Sequence, residues 1–338
     1  MILAGDIGGT KTALGLFGED AGPERPLSES VFSSQDYGGL EEIVEVFLER
    51  ERTDRIQAAC FAVAGPVLSG KASVTNLSWT VQDTLLSDSV GIDRVKLIND
   101  VQAVACSVPI LGEKDLRTLS TGKRVTNGTI AVIGVGTGLG EAFLTWDGVS
   151  YLSHPTEGGH ADFGPADEDQ AGLLAFVAGR RGHVSWEIVC SGIGIPNIYD
   201  YLISTGRYQD ILPLEGKEGY AEDRTPMIIG AAMDKDRPCL LCTHTLEMFT
   251  SILGAESGNL VLKTMATGGL YVGGGIPPRI LKFLESDTFV AAFRSKGRLT
   301  SMMEEIPVHV ILNPRAALMG AAMEAFRIRL QDCIKLTR

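Results

Sequence analysis

The sequence contains few cysteines and no long apolar segment. Its 338 residues include six cysteines, too few and too scattered for a disulfide scaffold. No stretch of about 18 or more residues is apolar throughout, so the sequence predicts no transmembrane helix. The opening residues, Met1 to Asp6, contain no basic segment, which argues against a signal peptide. We therefore expect a cytoplasmic protein with reduced thiols.

Clusters of basic residues are also missing. The chain has 30 lysines and arginines against 42 aspartates and glutamates, a formal net charge of −12. Without a basic patch, binding to nucleic acid or to an anionic membrane is not expected. Apolar residues make up 44% of the chain, enough for the core of one large domain or two smaller ones. An acidic protein that binds a nucleotide must offset the charge repulsion locally, through backbone N–H groups and a metal ion.

Two common nucleotide-binding motifs are absent. No P-loop sequence of the form G-x-x-x-x-G-K-[ST] occurs, and the first glycine-rich stretch is followed by a strand pattern rather than by the helix of a dinucleotide-binding fingerprint. Cys239 and Cys242 form a C-x-x-C pair, but no second pair of ligands lies nearby. Since residues 238–253 have a helical pattern, buried thiols on a helix face are favoured over a zinc or redox site.

Three glycine-rich turns follow predicted strands. The first occupies residues 5–10 and the second residues 134–140, each with a strand before and after it, which indicates a duplicated architecture. The third, residues 273–275, precedes a predicted helix over 277–284. Glycine lets backbone N–H groups approach a polyphosphate closely, so phosphate binding is predicted, with a simple tight turn as the alternative. Asp6 beside the first turn would suit a magnesium ion held through water.

Asn99 and Asp100 lie between a predicted strand over 95–98 and a predicted helix over 101–111. An aspartate in this position either caps the helix or acts as a general base. In phosphoryl transfer to an alcohol, a positioned aspartate accepts the hydroxyl proton as the new bond forms. Asn99 offers both a donor and an acceptor to a sugar hydroxyl.

The segment Glu157-Gly158-Gly159-His160 has the Glu-x-x-His spacing of some metal sites. Two adjacent glycines disfavour the helix that such a site needs. A loop that brings a carboxylate and an imidazole together suits the recognition of neighbouring hydroxyl groups instead. Glu187 follows the segment 183–186 and, on its own, would be an ordinary carboxylate of a surface helix.

The order and spacing of these motifs resemble the bacterial glucokinase family, within the sugar kinase/actin/heat-shock-chaperone superfamily. The resemblance extends over nearly the whole chain. It also includes Ala64-Gly65-Pro66, Thr75-Asn76-Leu77-Ser78-Trp79, His183-Val184-Ser185-Trp186-Glu187 and Gly273-Gly274-Gly275-Ile276.

The resemblance implies an α/β protein with a duplicated ribonuclease-H-like (actin-like ATPase) fold and two domains around a central cleft. The implied small domain comprises residues 1–110 plus 317–338, and the large domain residues 111–316. The implied reaction is transfer of phosphate from ATP, with Mg²⁺, to the 6-hydroxyl of glucose by a homodimeric enzyme. No residue is implied as a dedicated metal ligand, because Mg²⁺ is held mainly through phosphates and water near Asp6.

Site residues follow from the same resemblance. Asp100 is similar to the family's catalytic base and also contacts the sugar. The other sugar-binding positions are Asn99, Glu157, His160 and Glu187. The positions implied to bind ATP are Gly5, Asp6, Ile7, Gly8, Gly9, Thr10, Gly136, Thr137, Gly138, Gly274 and Gly275.

Two alternatives stay open at this point. The ROK (repressor, open reading frame, kinase) group shares the Gly-Gly-Thr turn, but it carries a cysteine-rich zinc motif after its Glu-x-x-Gly-His segment, and residues 161–180 contain no cysteine. A kinase for fructose, mannose or an N-acetylhexosamine is the nearest alternative, because one hydroxyl or acetamide is read by pocket shape. A sugar-sensing regulator is the second, and it would need a DNA-binding segment.

Overall fold

The computed structural model describes residues 1–53, 56–74, 77–208 and 224–335, with side chains as far as residue 330. Thr75 and Asn76, part of one of the motifs, lie outside the described residues, as do residues 336–338 of the predicted small domain.

The described residues form strands and helices in mixed order. The strands are β1 Ile2–Ile7, β2 Lys11–Phe17, β3 Ser28–Ser33, β4 Ala58–Val63, β5 Val67–Leu68, β6 Lys71–Ser73, β7 Thr80–Gln82, β8 Val95–Asn99, β9 Leu116–Ser120, β10 Ile130–Val135, β11 Leu139–Trp146, β12 Tyr151–Thr156, β13 Gly269–Gly273 and β14 Val308–Ile311. The α-helices are α1 Leu40–Glu51, α2 Asp83–Val90, α3 Asp100–Ser107, α4 Glu168–Arg181, α5 Trp186–Val189, α6 Gly194–Ser204, α7 Thr225–Met233, α8 Leu240–Thr264, α9 Leu281–Leu284, α10 Asp287–Arg294, α11 Thr300–Glu304 and α12 Ala316–Lys335.

The chain divides into two compact units. The first unit comprises Met1–Asp115, Leu144–Pro155 and Asn313–Arg338, and the second unit comprises Leu116–Phe143 and Thr156–Leu312. The predicted domain ranges, 1–110 plus 317–338 and 111–316, stay a prediction.

A five-stranded sheet in the order β3-β2-β1-β4-β8 forms the centre of the first unit. Strand β1 is antiparallel to β2 and parallel to β4, which is in turn parallel to β8. Side chains alternate between the faces of a strand, so Ile2 and Ala4 pack in a cluster with Leu318 of α12, whereas Leu3 packs in a cluster with Val44 of α1. Both faces of β1 are therefore buried, and its carboxyl end carries the first glycine turn.

Helices α3 and α12 make a very close contact in the first unit. A Cβ atom on Gly320 would lie 1.7 Å from the carbonyl oxygen of Ala103, so only glycine fits there. Helix α3 ends at Ser107 and continues as a 3₁₀ turn over Val108–Ile110, earlier than the predicted end at 111. Pro109 explains the change, since proline has no N–H for a helical hydrogen bond and restricts the residue before it.

The second sheet has six strands in the order β12-β11-β10-β13-β14-β9. Strand β10 is parallel to β13 and β13 to β14, whereas β9 is antiparallel to β14. Counted within each half of the chain, five strands of this sheet repeat the order of the first sheet: third, second, first, fourth, fifth. This repeat is the duplication that the two glycine turns predict.

Helix α8 is the central helix of the second unit and reaches Thr264, well beyond the predicted end at 253. Gly254 and Gly258 lie inside it, and Cβ atoms there would come within 2.4 Å and 2.6 Å of carbonyl oxygens of α10. These glycines permit close helix packing rather than ending the helix. None of the helices in the described part of the chain is long and apolar enough to cross a membrane.

Candidate active site

The first glycine turn connects β1 to β2 and is held by a serine from outside the motif. The backbone N–H of Gly8 donates to the carbonyl of Lys11 at 2.9 Å. The hydroxyl of Ser34 donates to the carbonyl of Gly8 at 2.8 Å, and its backbone N–H donates to the carbonyl of Thr10 at 3.0 Å. Sequence reasoning missed Ser34, because its only signal is a contact between distant parts of the chain.

Two residues of the predicted phosphate-binding stretch lie inside β1 rather than in the turn. Gly5 is buried, and a Cβ atom there would lie 2.6 Å from the ring of Phe61. Ile7 is fully buried in the apolar core. The part of the stretch that reaches the surface therefore begins at Gly8 and ends at Thr10.

Asp6 and Asp100 form a pair of neighbouring carboxyl groups in the first unit. Asp6 lies near the carboxyl end of β1, and Asp100 is the first residue of α3, directly after β8. Burial raises the pKa of Asp6 to about 6, and the nearby charge of Asp100 raises it further in the same direction. The fold thus brings Asp100 into electrostatic range of the first glycine turn.

Asn99, and not Asp100, caps helix α3. The side-chain oxygen of Asn99 accepts from the backbone N–H groups of Val101 at 2.9 Å and Gln102 at 3.2 Å, and its amide donates to the carbonyl of Gly65 at 3.1 Å. An oxygen of Asp100 also accepts from the Val101 N–H, at 2.9 Å. Since Asn99 fills the capping position, the capping interpretation passes from Asp100 to Asn99.

The second glycine turn, Gly136 to Gly138, connects β10 to β11 in the second unit. The N–H of Gly136 donates to the carbonyl of Gly138 at 3.0 Å, and the N–H of Gly192 donates to the carbonyl of Gly136 at 2.8 Å. One carboxylate oxygen of Glu187 accepts from the N–H of Leu139 at 3.0 Å. A Cβ atom on Gly138 would lie 2.4 Å from that oxygen, so the turn needs glycine at this position.

Glu157, His160 and Glu187, all predicted to bind sugar, come together in the second unit. The two imidazole nitrogens of His160 lie 3.7 Å from an oxygen of Glu157 and 3.9 Å from an oxygen of Glu187. Both distances exceed a hydrogen bond, so the three side chains face one another without closing the space between them. Gly158 to His160 form a 3₁₀ turn rather than an α-helix, as the two glycines predict.

The third glycine segment lies against the second glycine turn. Gly274 has a φ of +98°, and a Cβ atom there would lie 2.3 Å from the carbonyl oxygen of Val135, the last residue of β10. Gly275 is exposed and has open space where a Cβ atom would be. Gly274 therefore serves close packing, whereas Gly275 presents its backbone to solvent.

Cys239 and Cys242 have a structural role at the start of α8. The thiol of Cys239 accepts from the backbone N–H of Cys242 at 3.2 Å and so caps the helix. Both cysteines are buried, as the helical pattern predicts. In the part of the chain that the structure describes, no group of three or more histidine, cysteine, aspartate or glutamate side chains is arranged to hold a metal ion.

The predicted site residues therefore fall into two groups, one in each unit. The first unit brings together the turn at Gly8 to Thr10, Asp6, Asn99 and Asp100. The second unit brings together the remaining residues, which are Gly136, Thr137, Gly138, Glu157, His160, Glu187, Gly274 and Gly275.

Solved structures with the same fold are sugar kinases. A glucokinase from an Antarctic psychrotroph matches with a TM-score of 0.83 and 30% identity, over 96% of this chain and 98% of that one. A ROK family glucokinase from Streptomyces griseus, solved with glucose and AMPPNP, matches with a TM-score of 0.64 and 20% identity, over 96% of this chain and 99% of that one. Fold and site together define the class: a sugar kinase with the duplicated actin-like ATPase fold, as predicted.

Sequence comparison narrows the class further. A family model described as Glucokinase matches residues 3–327. A glucokinase of Nostoc punctiforme is 40% identical over 342 residues, which are 97% of this chain and 99% of the relative. The chain belongs to the glucokinase family. The family and the enzyme class predicted from the sequence are thereby confirmed.

Proposed function

We propose that this chain transfers the γ-phosphoryl group of ATP to the 6-hydroxyl of glucose, with Asp100 as the general base. The observation that carries the proposal is the position of Asp100 at the start of α3, beside Asp6 and the first glycine turn. The positive end of the helix dipole favours the ionised carboxylate there, ready to accept a proton. The sugar hydroxyl loses its proton to this carboxylate as its oxygen bonds to phosphorus.

Glu157, His160 and Glu187 are proposed to bind the sugar. The 3.7 Å and 3.9 Å gaps between them suit hydroxyl groups that accept from one side chain and donate to the next. Glu187 also holds the second glycine turn through the N–H of Leu139, so the sugar and phosphate groups are positioned by one carboxylate. Glu157→Gln and His160→Ala should each raise the KM for glucose with a smaller change in kcat.

The glycine turns are proposed to hold the phosphates of ATP through backbone N–H groups, which fits the AMPPNP, an ATP analogue, bound to the Streptomyces griseus relative. The neighbouring carboxyl groups of Asp6 and Asp100 repel each other, and a Mg²⁺ ion held through water beside Asp6 would relieve that repulsion. When bound, the ion would neutralise negative charge on the phosphates.

The experiment that tests the base is a pair of matched substitutions in the first unit. Asp83 is the first residue of α2 and accepts from the N–H of Thr84 at 2.7 Å, as Asp100 does from Val101. We expect Asp100→Ala to lower kcat by about 10²–10⁴-fold with little change in glucose affinity, because that is the usual contribution of a general base. Asp83→Ala should leave kcat unchanged. Near-normal turnover of the Asp100 variant would refute the assignment.

Sugar choice is tested by ADP release across a panel of hexoses. We expect glucose to have the highest kcat/KM, ahead of mannose, fructose and N-acetylglucosamine. A higher value for another hexose would transfer the proposal to that sugar. A homodimer and a cytoplasmic location are also proposed, the latter fitting the five free cysteines among the described residues. Sedimentation equilibrium of the purified enzyme tests the dimer.

A further inference from the structure

A second pair of carboxyl groups lies deep in the second unit and has no part in the chemistry proposed above. Glu141 on β11 is 2% exposed, and Glu256 on α8 is 0% exposed. Their side chains are hydrogen-bonded to each other. Two ionised carboxylates have only acceptor oxygens, so this bond exists only when one of them carries a proton.

The partners of the two side chains show which one is protonated. Glu256 accepts from the amide of Asn259 at 2.8 Å and from the ammonium of Lys263 at 3.2 Å, and both interactions favour its ionised form. Glu141 has one buried oxygen, Oε1, without a hydrogen-bond partner among the described residues. A proton on Glu141 that is donated to Glu256 gives the pair a hydrogen bond at no cost in buried charge. Burial raises the pKa of Glu141 to about 8, with the charge of Glu256 acting in the same direction.

Other titratable groups surround the pair. Lys263 lowers the pKa of Glu141, whereas the thiol of Cys190 has its own pKa raised by burial and by both glutamates. Lys296 donates to the carbonyl of Ala255 and to Asn259, both at 2.8 Å, and burial lowers its pKa. The groups that act on the pair from neighbouring elements are thus Cys190, Lys263 and Lys296, and those along the adjoining loop are Glu157, His160 and Glu187.

Glu141 also contacts the loop that carries the proposed sugar ligands. A Cβ atom on Gly158 would lie 2.0 Å from Oε2 of Glu141, and one on Gly159 would lie 2.2 Å from the carbonyl oxygen of Leu139. The two glycines of the Glu157–His160 loop therefore rest directly on β11 and on the Glu141 side chain. Any movement of that side chain displaces the backbone between Glu157 and His160.

We propose that Glu141 is a positioning residue for sugar binding: by sharing a proton with Glu256, it supports the Glu157–His160 loop in the form that holds the sugar. The inference rests on the proposed role of that loop. Loss of the proton to solvent leaves two buried carboxylates in contact, and their repulsion pushes the Glu141 side chain against Gly158. The site then binds sugar weakly until the proton returns.

The first test separates KM from kcat across pH. If only the protonated form binds sugar well, the KM for glucose of the natural chain should rise about tenfold from pH 7 to pH 9, in proportion to the lost competent fraction. Glu141→Gln keeps a donor to Glu256 and should hold KM nearly constant over this range. Glu141→Ala removes the support and should raise KM about tenfold at pH 7, with a smaller change in kcat. Glu285→Gln, a surface change at an ion pair with Arg117, is the control.

An alkaline rise in KM that is the same in the natural chain and in Glu141→Gln would overturn the proposal. So would a Glu141→Ala variant that is folded and has the natural KM. If Glu141→Ala does not fold, the pH profile of Glu141→Gln still decides.

The second test does not depend on activity. At pH 7 the infrared spectrum of the natural chain should contain the carbonyl band of a protonated carboxyl group, and Glu141→Gln should lack it. Absence of the band in the natural chain would refute the shared proton. If His160→Ala leaves the glucose KM unchanged while the band is present, the proposed sugar site fails and the proton pair stands.

Discussion

Each unit of this molecule contains two neighbouring carboxyl groups, and the two pairs differ in their exposure to solvent. Asp6 and Asp100 are partly exposed, whereas Glu141 and Glu256 are 2% and 0% exposed. In both pairs a carboxyl group is buried beside a like charge, which raises the pKa of Asp6 to about 6 and that of Glu141 to about 8. The deeper pair has the larger shift, because desolvation penalises the ionised form more strongly.

This difference assigns the pairs to different work. At neutral pH both members of the first pair are mainly ionised, so they suit proton acceptance and the attraction of a cation. The second pair keeps one proton, so Glu141 acts as a hydrogen-bond donor in the interior. A carboxyl group thus serves chemistry or support according to how much water reaches it.

The largest effect that would sharpen this contrast is expected at Asp6. Asp6→Asn should lower kcat by about 10²-fold, the usual size for one electrostatic contact to a transition state, and should raise the Mg²⁺ concentration needed for half-maximal rate. Steady-state rates over a Mg²⁺ titration measure both. Asp36→Asn, at an exposed position near the same turn, is the control. Unchanged Mg²⁺ dependence in Asp6→Asn would separate Asp6 from the metal.

A change of about tenfold is expected where the second pair meets the loop. Gly158→Ala places a methyl group 2.0 Å from Oε2 of Glu141, so the loop must shift and the KM for glucose should rise by about that factor. Gly230→Ala, at an exposed helical position with open space around it, should leave KM unchanged and stabilise the chain by up to about 1 kcal/mol.

A natural KM in Gly158→Ala would mean that the contact between the loop and Glu141 does not govern sugar binding. Restoration of the natural KM by combining Gly158→Ala with Glu141→Ala, which makes space for the methyl group, would strengthen the contrast between the pairs.

A smaller effect is expected in the pH dependence of stability. Asp6 and Glu141 both have a pKa in the folded chain above the usual values of 3.8 and 4.5. The folded chain therefore binds more protons than the unfolded chain, and the free energy of unfolding falls as pH rises through each window. The window of Asp6 ends near pH 6 and that of Glu141 near pH 8.

Urea unfolding at pH 5, 7 and 8.5 can separate the two windows. Glu141→Gln should remove most of the decline above pH 6, and Asp6→Asn should affect only the decline below about pH 7. An unchanged decline above pH 6 in Glu141→Gln would leave the two pairs without the difference in protonation argued above.

Local patterns predicted much of the fold and part of the site. The strand–turn–strand repeat predicted the duplicated sheets, and the periodicity over residues 40–51 predicted α1 to the residue. Helix α8 was predicted too short because Gly254 and Gly258 resemble helix ends until α10 is seen against them. Ser34 and the pairing of Glu141 with Glu256 were missed, since long-range contacts create their roles and a single sequence does not display such contacts.

The smallest effect is expected at Asn99, whose side chain determines where Asp100 sits. Asn99→Ala removes the acceptor for two N–H groups at the start of α3 and should lower the free energy of unfolding by about 1 kcal/mol, measured by urea unfolding. Asn99→Asp keeps the acceptor but loses the donor to Gly65 and should recover most of that stability. Because it adds a third carboxylate beside Asp6 and Asp100, it should also move the acidic limb of the rate profile to higher pH. If the Asp variant has an unshifted acidic limb, the rate does not depend on the first pair's charge, and the contrast between the pairs reduces to one of burial alone.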